Sequence, residues 1–146
     1  DVTATTLIEN DEPIMHTAEV RVVGNTTCPH CMANNEGLTH MQRAIGTLRL
    51  TGAISEIPSY GSMIDVIERS FSSKTYSLLK LEDEKFVTRQ MHDNPQFVED
   101  VCRNILQNAK EAFKDRNLEM CAEATSLESI HKHDVIAQGR IIVNGG

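Results

Sequence analysis

Apolar and polar positions along this chain alternate with two different periods, and the switch between them marks its elements. From Ala18, the residues Ala18, Val20 and Val22 alternate with Glu19, Arg21 and Val23, the period of two expected of a half-buried strand. Gly24 and Asn25 weaken that strand. A second strand follows, with Ala44, Gly46, Leu48 and Leu50 on one face and Ile45, Thr47, Arg49 and Thr51 on the other. The period then lengthens. Ser62 is placed to cap a helix through Met63, Ile64, Ile67 and Phe71, which Ser72 and Ser73 end. A stronger helix is expected to open at Asp93 with Pro95 in its first turn. Its apolar residues are Phe97, Val98, Val101, Cys102, Ile105, Ala109 and Phe113, and it reaches about Lys114. Two more alternating runs close the chain: Leu118, Met120, Ala122, Ala124, and then Val135, Ala137, Gly139, Ile141, Val143.

The order is therefore β-β-α-α-β-β. Paired strands on either side of two helices imply an α+β fold, one antiparallel sheet with two helices layered on one face. The segment Tyr76–Met91 fits neither period, because Leu78-Leu79 and Phe86-Val87 are separated by charge. Residues 1–17 read as a leading arm or linker, since Glu9, Asn10, Asp11, Glu12 and Pro13 form a turn signal. Residues 18–146 read as one domain. A chain of 146 residues can bury one proper core and hardly two.

Charge narrows the function classes. A net charge of −7, from 14 basic and 21 acidic residues, gives no bulk attraction to nucleic acid or to an anionic membrane. No apolar run approaches the roughly 20 residues of a membrane span. The four cysteines are few for a disulfide scaffold. A reduced, cytoplasmic setting fits them better than secretion.

The candidate chemistry centres on Cys28-Pro29-His30-Cys31 and on His40, just past the first strand. A thiolate and an imidazole suit Zn²⁺ or Fe²⁺, and Glu84 or Glu99 could add a carboxylate oxygen. Competing readings exist for each residue. Cys28 and Cys31 could join His131 and His133 in a structural zinc site, or act as a thiol–disulfide oxidoreductase pair. The latter needs the first cysteine at a helix N-terminus, and Asn34, Asn35 and Gly37 favour turns there. Glu84 sits in the charge run Leu81-Glu82-Asp83-Glu84-Lys85, which a solvated surface explains as well. Glu99, in a first helical turn, is explained by the helix dipole alone.

Four blocks in order resemble the type IB GTP cyclohydrolases, including their archaeal members. They are Cys28-Pro29 with His40-Met41-Gln42-Arg43; Leu78-Leu79-Lys80 with Asp83-Glu84-Lys85-Phe86-Val87-Thr88; Asp93 to Asp100; and Glu128 to Asp134. The resemblance implies a tunnelling fold of β-β-α-α-β-β units, of which this chain is similar to the second in a two-unit family chain. It implies that Cys28, His40 and Glu84 hold one divalent metal ion, Fe²⁺ ahead of Zn²⁺ or Mn²⁺. It further implies that Glu99 grips the guanine edge of GTP, that His131 and His133 move protons, and that Arg43, Lys85 or Lys132 meets the triphosphate. The implied reaction is hydrolytic opening of the guanine imidazole ring at C8, with loss of formate and formation of a dihydroneopterin phosphate for pterin biosynthesis. The implied assembly is a homo-oligomer with active sites at its interfaces, completed by a first tunnelling-fold unit. The family's Cys-Pro-Cys is here Cys28-Pro29-His30, with the next thiol at Cys31. A non-catalytic metal-binding assembly domain is the alternative outside enzymology.

Overall fold

The computed structural model describes residues 1–9 and 12–145. Its centre is an antiparallel sheet in which β2 (Glu12–Thr27), β3 (Met41–Gly52), β5 (Leu118–Ser126) and β6 (Val135–Val143) lie side by side. β1 (Val2–Glu9) flanks β2 on the outside, and the two-residue β4 (Ser73–Lys74) pairs further along the same edge, at Gly24 and Asn25. On one face lie α2 (Tyr60–Glu68) and α4 (Val98–Ala112). The expected β-β-α-α-β-β order is thus present as β2, β3, α2, α4, β5 and β6. Two helices outside that scheme are α1 (Pro29–Asn34) and α3 (Leu81–Asp93).

Alternation decides which side of each strand is buried. Ala18, Val20, Ala44, Leu48, Leu50, Leu118, Met120, Ala122 and Ala124 all turn toward the helices and join one core cluster. From the helices come Met63, Val66 and Ile67 of α2, and Val101, Cys102, Ile105 and Ala109 of α4, at the 3.6-residue spacing that keeps one stripe inward. The other sheet face carries Glu19, Arg21, Thr47, Arg49, Glu123, Gln138 and Arg140, several of them ion-paired across strands. Among the described residues no helix is long and apolar enough to cross a membrane.

Several boundaries differ from the sequence expectation. Residues 1–9, read as a leading arm, form an exposed strand paired to the first part of β2. The turn expected at Asn10 and Asp11 lies outside the described residues. α2 starts earlier, because Ser59 rather than Ser62 caps it, accepting from the Ser62 N–H at 3.2 Å. Asp93 does not open the long helix; it closes α3. α4 begins after Phe97, whose N–H donates to the Asp100 carboxylate at 3.1 Å. Asn94-Pro95-Gln96 is the joint between the two helices.

Candidate active site

Three chain connections meet at one end of the sheet, and backbone pairing explains why they do. The β2–β3 register places Thr27 opposite Met41, so Cys28 and His40 face each other just past the ladder. The Cys28 N–H donates to the His40 carbonyl at 3.3 Å, and the Thr39 hydroxyl donates to the Cys28 carbonyl at 2.8 Å. The twelve-residue interval between thiol and imidazole is therefore a closed loop.

That loop contains α1, which overturns the expectation of turns only. Cys28 is its N-cap, its Sγ accepting from the Cys31 N–H at 3.4 Å, and Pro29 holds the first helical position where its missing N–H costs nothing. Asn35 and Gly37, the latter at φ 84°, stop the helix after six residues. A cysteine at a helix start was what the thiol-exchange reading required. Among the described residues, however, every strand pairing is antiparallel, without the parallel βαβ crossovers on which such oxidoreductases are built.

The other connections close over the same spot. On the β3–β5 ladder Ala44 pairs with Ser126, and the Leu127 N–H donates to the Arg43 carbonyl at 2.9 Å. Glu128 follows, its N–H held by the Asp134 carboxylate at 3.2 Å, so the loop carrying His131 and His133 is pinned at both ends. The Gln96 N–H donates to the Thr27 carbonyl at 3.0 Å, which sets Phe97, Val98 and Glu99 at the start of α4 above the end of β2. The result is a cavity of about 240 Å³ lined by Cys28, His40, Gln42, Glu99, Glu128, His131 and His133 among others.

Within it the histidine rings form a cluster. His40 and His131 are edge-on at 6.3 Å between centroids, and His131 stacks on His133 at 5.6 Å. His40 Nδ1 lies 2.8 Å from the Gln42 amide oxygen. The Gln42 amide nitrogen donates to Ser126 Oγ and to a Glu128 carboxylate oxygen, both at 3.2 Å, and the Ser126 hydroxyl donates to that same oxygen at 2.6 Å.

Five of the residues singled out in the sequence therefore meet: Cys28, His40, Glu99, His131 and His133. Three do not. Glu84 and Lys85 lie on the exposed start of α3 and line a separate surface depression with Leu81, Thr88 and Arg89. The cause is the place of α3: it packs beside β2 and β4 with Val87 as its one buried side chain. Lys85 pairs with Glu82 at 2.7 Å, and Glu84 belongs to an acidic first turn that suits the helix N-terminus. Arg43 is exposed, and alternation along β3 turns it to the sheet face opposite Gln42 and Ala44.

The donors Cys28, His40 and Glu84 are thus not assembled around one ion. Among the described residues no three His, Cys, Asp or Glu side chains are placed to hold a metal. Sequence reasoning also gave no role to Gln42, Ser126 or Glu128, since amide, hydroxyl and lone carboxylate positions carry no spacing signature. Larger depressions exist elsewhere, one of about 700 Å³ beside α2 and one of about 600 Å³ on the charged sheet face. Neither contains any of the histidine cluster.

The antiparallel sheet with helices on one face is a tunnelling-fold-like α+β arrangement, and one end of it collects a thiol, three imidazoles and two carboxylates around a single hollow. Comparison with known proteins agrees. Residues 1–137 match the family described as type I GTP cyclohydrolase folE2, and the chain belongs to that family. It is 51% identical over 132 residues to the GTP cyclohydrolase MptA of Pyrococcus abyssi, covering 90% of this chain and 48% of that protein. It is 48% identical over 138 residues to the MptA of Pyrococcus furiosus, covering 94% of this chain and 51% of the relative. The GTP cyclohydrolase FolE2 of Desulfovibrio desulfuricans is 40% identical over 134 residues, 90% of this chain and 45% of its own length. The chain spans about half the length of the curated relatives it matches.

Proposed function

We propose that this chain carries the GTP cyclohydrolase site of its family: it binds the guanine of GTP and supports hydrolytic ring opening at C8 with release of formate, toward a dihydroneopterin phosphate. The observation that carries the reading is the single hollow shared by Cys28, His40, Glu99, His131 and His133, residues from four separate stretches of sequence. At about 240 Å³ the hollow falls under the roughly 300–1,000 Å³ of sites that enclose a whole drug-sized ligand. It suits a purine base, with ribose and triphosphate outside. Glu99 supplies two acceptor oxygens at its rim, the pattern that the N1–H and 2-amino group of guanine satisfy and adenine does not. His131 and His133 are exposed imidazoles in stacked contact, placed to pass protons to and from the opening ring.

A divalent ion, Fe²⁺ ahead of Zn²⁺ or Mn²⁺, belongs to the same proposal. Cys28 and His40 offer it a thiolate and an imidazole from paired backbone positions, and Glu84 would join them only with α3 set differently from here. Such an ion supplies an ionised water at neutral pH. The oligomer and the first tunnelling-fold unit are proposed too, because Arg43 and Lys85 lie away from this hollow and, of the implied phosphate partners, Lys132 alone stands beside it, between His131 and His133.

The test is anaerobic incubation of the chain, alone and with a first unit, with GTP and Fe²⁺, measuring formate and pterin fluorescence. Formate that disappears in Cys28→Ala supports the reading. Metal and GTP binding without formate in either setting would replace it with the non-catalytic assembly domain.

A further inference from the structure

We infer that Gln42 is a positioning residue that fixes the proton of His40 on Nδ1 and leaves its Nε2 as a free lone pair, the direction being imposed by Glu128. An ionised carboxylate only accepts, and Glu128 Oε1 receives the Ser126 hydroxyl at 2.6 Å and the Gln42 amide N–H at 3.2 Å. Ser126 Oγ, its proton committed to Glu128, accepts the same Gln42 nitrogen at 3.2 Å. Both contacts demand the NH₂ end of the amide. The carbonyl end must then point the other way, where it lies 2.8 Å from His40 Nδ1. A carbonyl oxygen accepts only, so Nδ1 carries the hydrogen.

Burial makes the chain of bonds hold. Ser126 is 2% exposed, and Gln42 and Glu128 are half-buried, so water competes poorly for these groups. Reversal of the amide would set its C=O against the Glu128 carboxylate, acceptor against acceptor, and lose both bonds that the NH₂ end makes. The sheet supplies the alignment, since Ala44 and Ser126 are partners on the β3–β5 ladder and Gln42 and Glu128 extend from it. These contacts set the tautomer whether or not a reaction takes place. Its consequence for catalysis rests on the proposed function, because only there does a lone pair on His40 Nε2 have work to do.

The experiment is long-range ¹H–¹⁵N correlation on the uniformly labelled full chain at about pH 8, above the ordinary histidine range, with the His40 signals assigned by their loss in His40→Ala. The expected wild-type pattern is Nδ1–H. In Gln42→Met, which keeps length and removes the amide, that pattern is lost and Nε2–H becomes the main form. In Glu128→Gln the amide orientation is released and His40 divides between the two forms. Signals of His131 and His133 keep their wild-type tautomers in both variants, which a general loosening of the site would not allow. Nε2–H in the wild type overturns the inference, and so does Nδ1–H retained in either folded variant. Should Gln42→Met fail to fold, as read from amide dispersion, the Glu128→Gln spectrum and the wild-type tautomer decide it. Formate release by the same proteins, with GTP, Fe²⁺ and a first unit added, keeps the two proposals apart: an Nδ1–H wild type without turnover there upholds the positioning role and sinks the cyclohydrolase reading.

Discussion

The ring of Phe71 lies directly on Gly24: a β-carbon at that glycine would sit 2.2 Å from two of the ring carbons. Glycine is there to let β2 pass under an aromatic side chain. The contact anchors the segment after α2, since the Ser72 N–H donates to the Asn25 carbonyl at 3.0 Å and Asn94 donates to the Phe71 carbonyl at 3.1 Å. Gly24→Ala is expected to cost about 1–3 kcal/mol by overpacking. In a Phe71→Ala background the same substitution should cost almost nothing, a coupling that a thermal or urea double-mutant cycle measures. Equal cost in both backgrounds would place the effect in the backbone instead.

Binding and chemistry should separate at the hollow. Cys28→Ala and His40→Ala are expected to abolish formate release while circular dichroism stays native. Glu99→Gln, which trades a charged bidentate acceptor for a neutral amide, should weaken GTP binding by about 10- to 100-fold, as read by calorimetry. Unchanged GTP affinity in Glu99→Gln would remove that residue from the guanine contact.

Alkaline pH should destabilise the fold through its thiols. Burial under β5 pushes the Cys102 thiol above its ordinary range, with nearby Glu123 adding to the rise and Arg103 opposing it. Cys121 is raised in the same sense by burial and then by Glu119. The unfolded chain ionises such thiols near pH 8.5 while the folded one keeps them neutral. The stability they contribute is therefore full below about pH 8.5 and is lost as pH climbs toward the folded values. Urea midpoints between about pH 8 and 10 should fall less steeply for Cys102→Ala than for the wild type.

One buried hydroxyl offers a gain. Thr26 Oγ1 is enclosed in β2 and has no hydrogen-bond partner among the described residues. Leaving such a group unsatisfied costs on the order of 1–3 kcal/mol. Thr26→Val keeps the shape and removes the polar atom, so it should raise stability by about 1 kcal/mol and lift the melting temperature. A fall would mean the hydroxyl is bonded to water in solution.

β3 and β5 were legible because each buries one face: Leu118, Met120, Ala122 and Ala124 alternate without a break, and so do Ala44, Gly46, Leu48 and Leu50. α3 was not, because Val87 is its single buried side chain and Phe86 beside it is 63% exposed, so no apolar stripe exists to read. α1 hid behind the Asn35 and Gly37 that end it, although Pro29 directly after Cys28 was the available sign of a start. Asp93 misled as a cap because it stands in a joint between two helices. At the site, the residues with distinctive chemistry emerged through three of the four family blocks, while the second block pointed to Glu84 and Lys85, which lie elsewhere. The amide of Gln42 and the hydroxyl of Ser126 did not, because their importance lies in which atom faces which, and that is settled only by the pairing of β3 with β5.

That pairing has a consequence for quality control during folding. Residues 28–42 and 96–133 come from opposite ends of the sequence, and the ladder that unites them tolerates no slippage. A shift of one residue would carry Ser126 and Glu128 to the charged side of the sheet and leave the Gln42 amide facing oil. A misaligned molecule would thus be both less stable and chemically blank, so any chain that reaches its native register already has its reactive end in order.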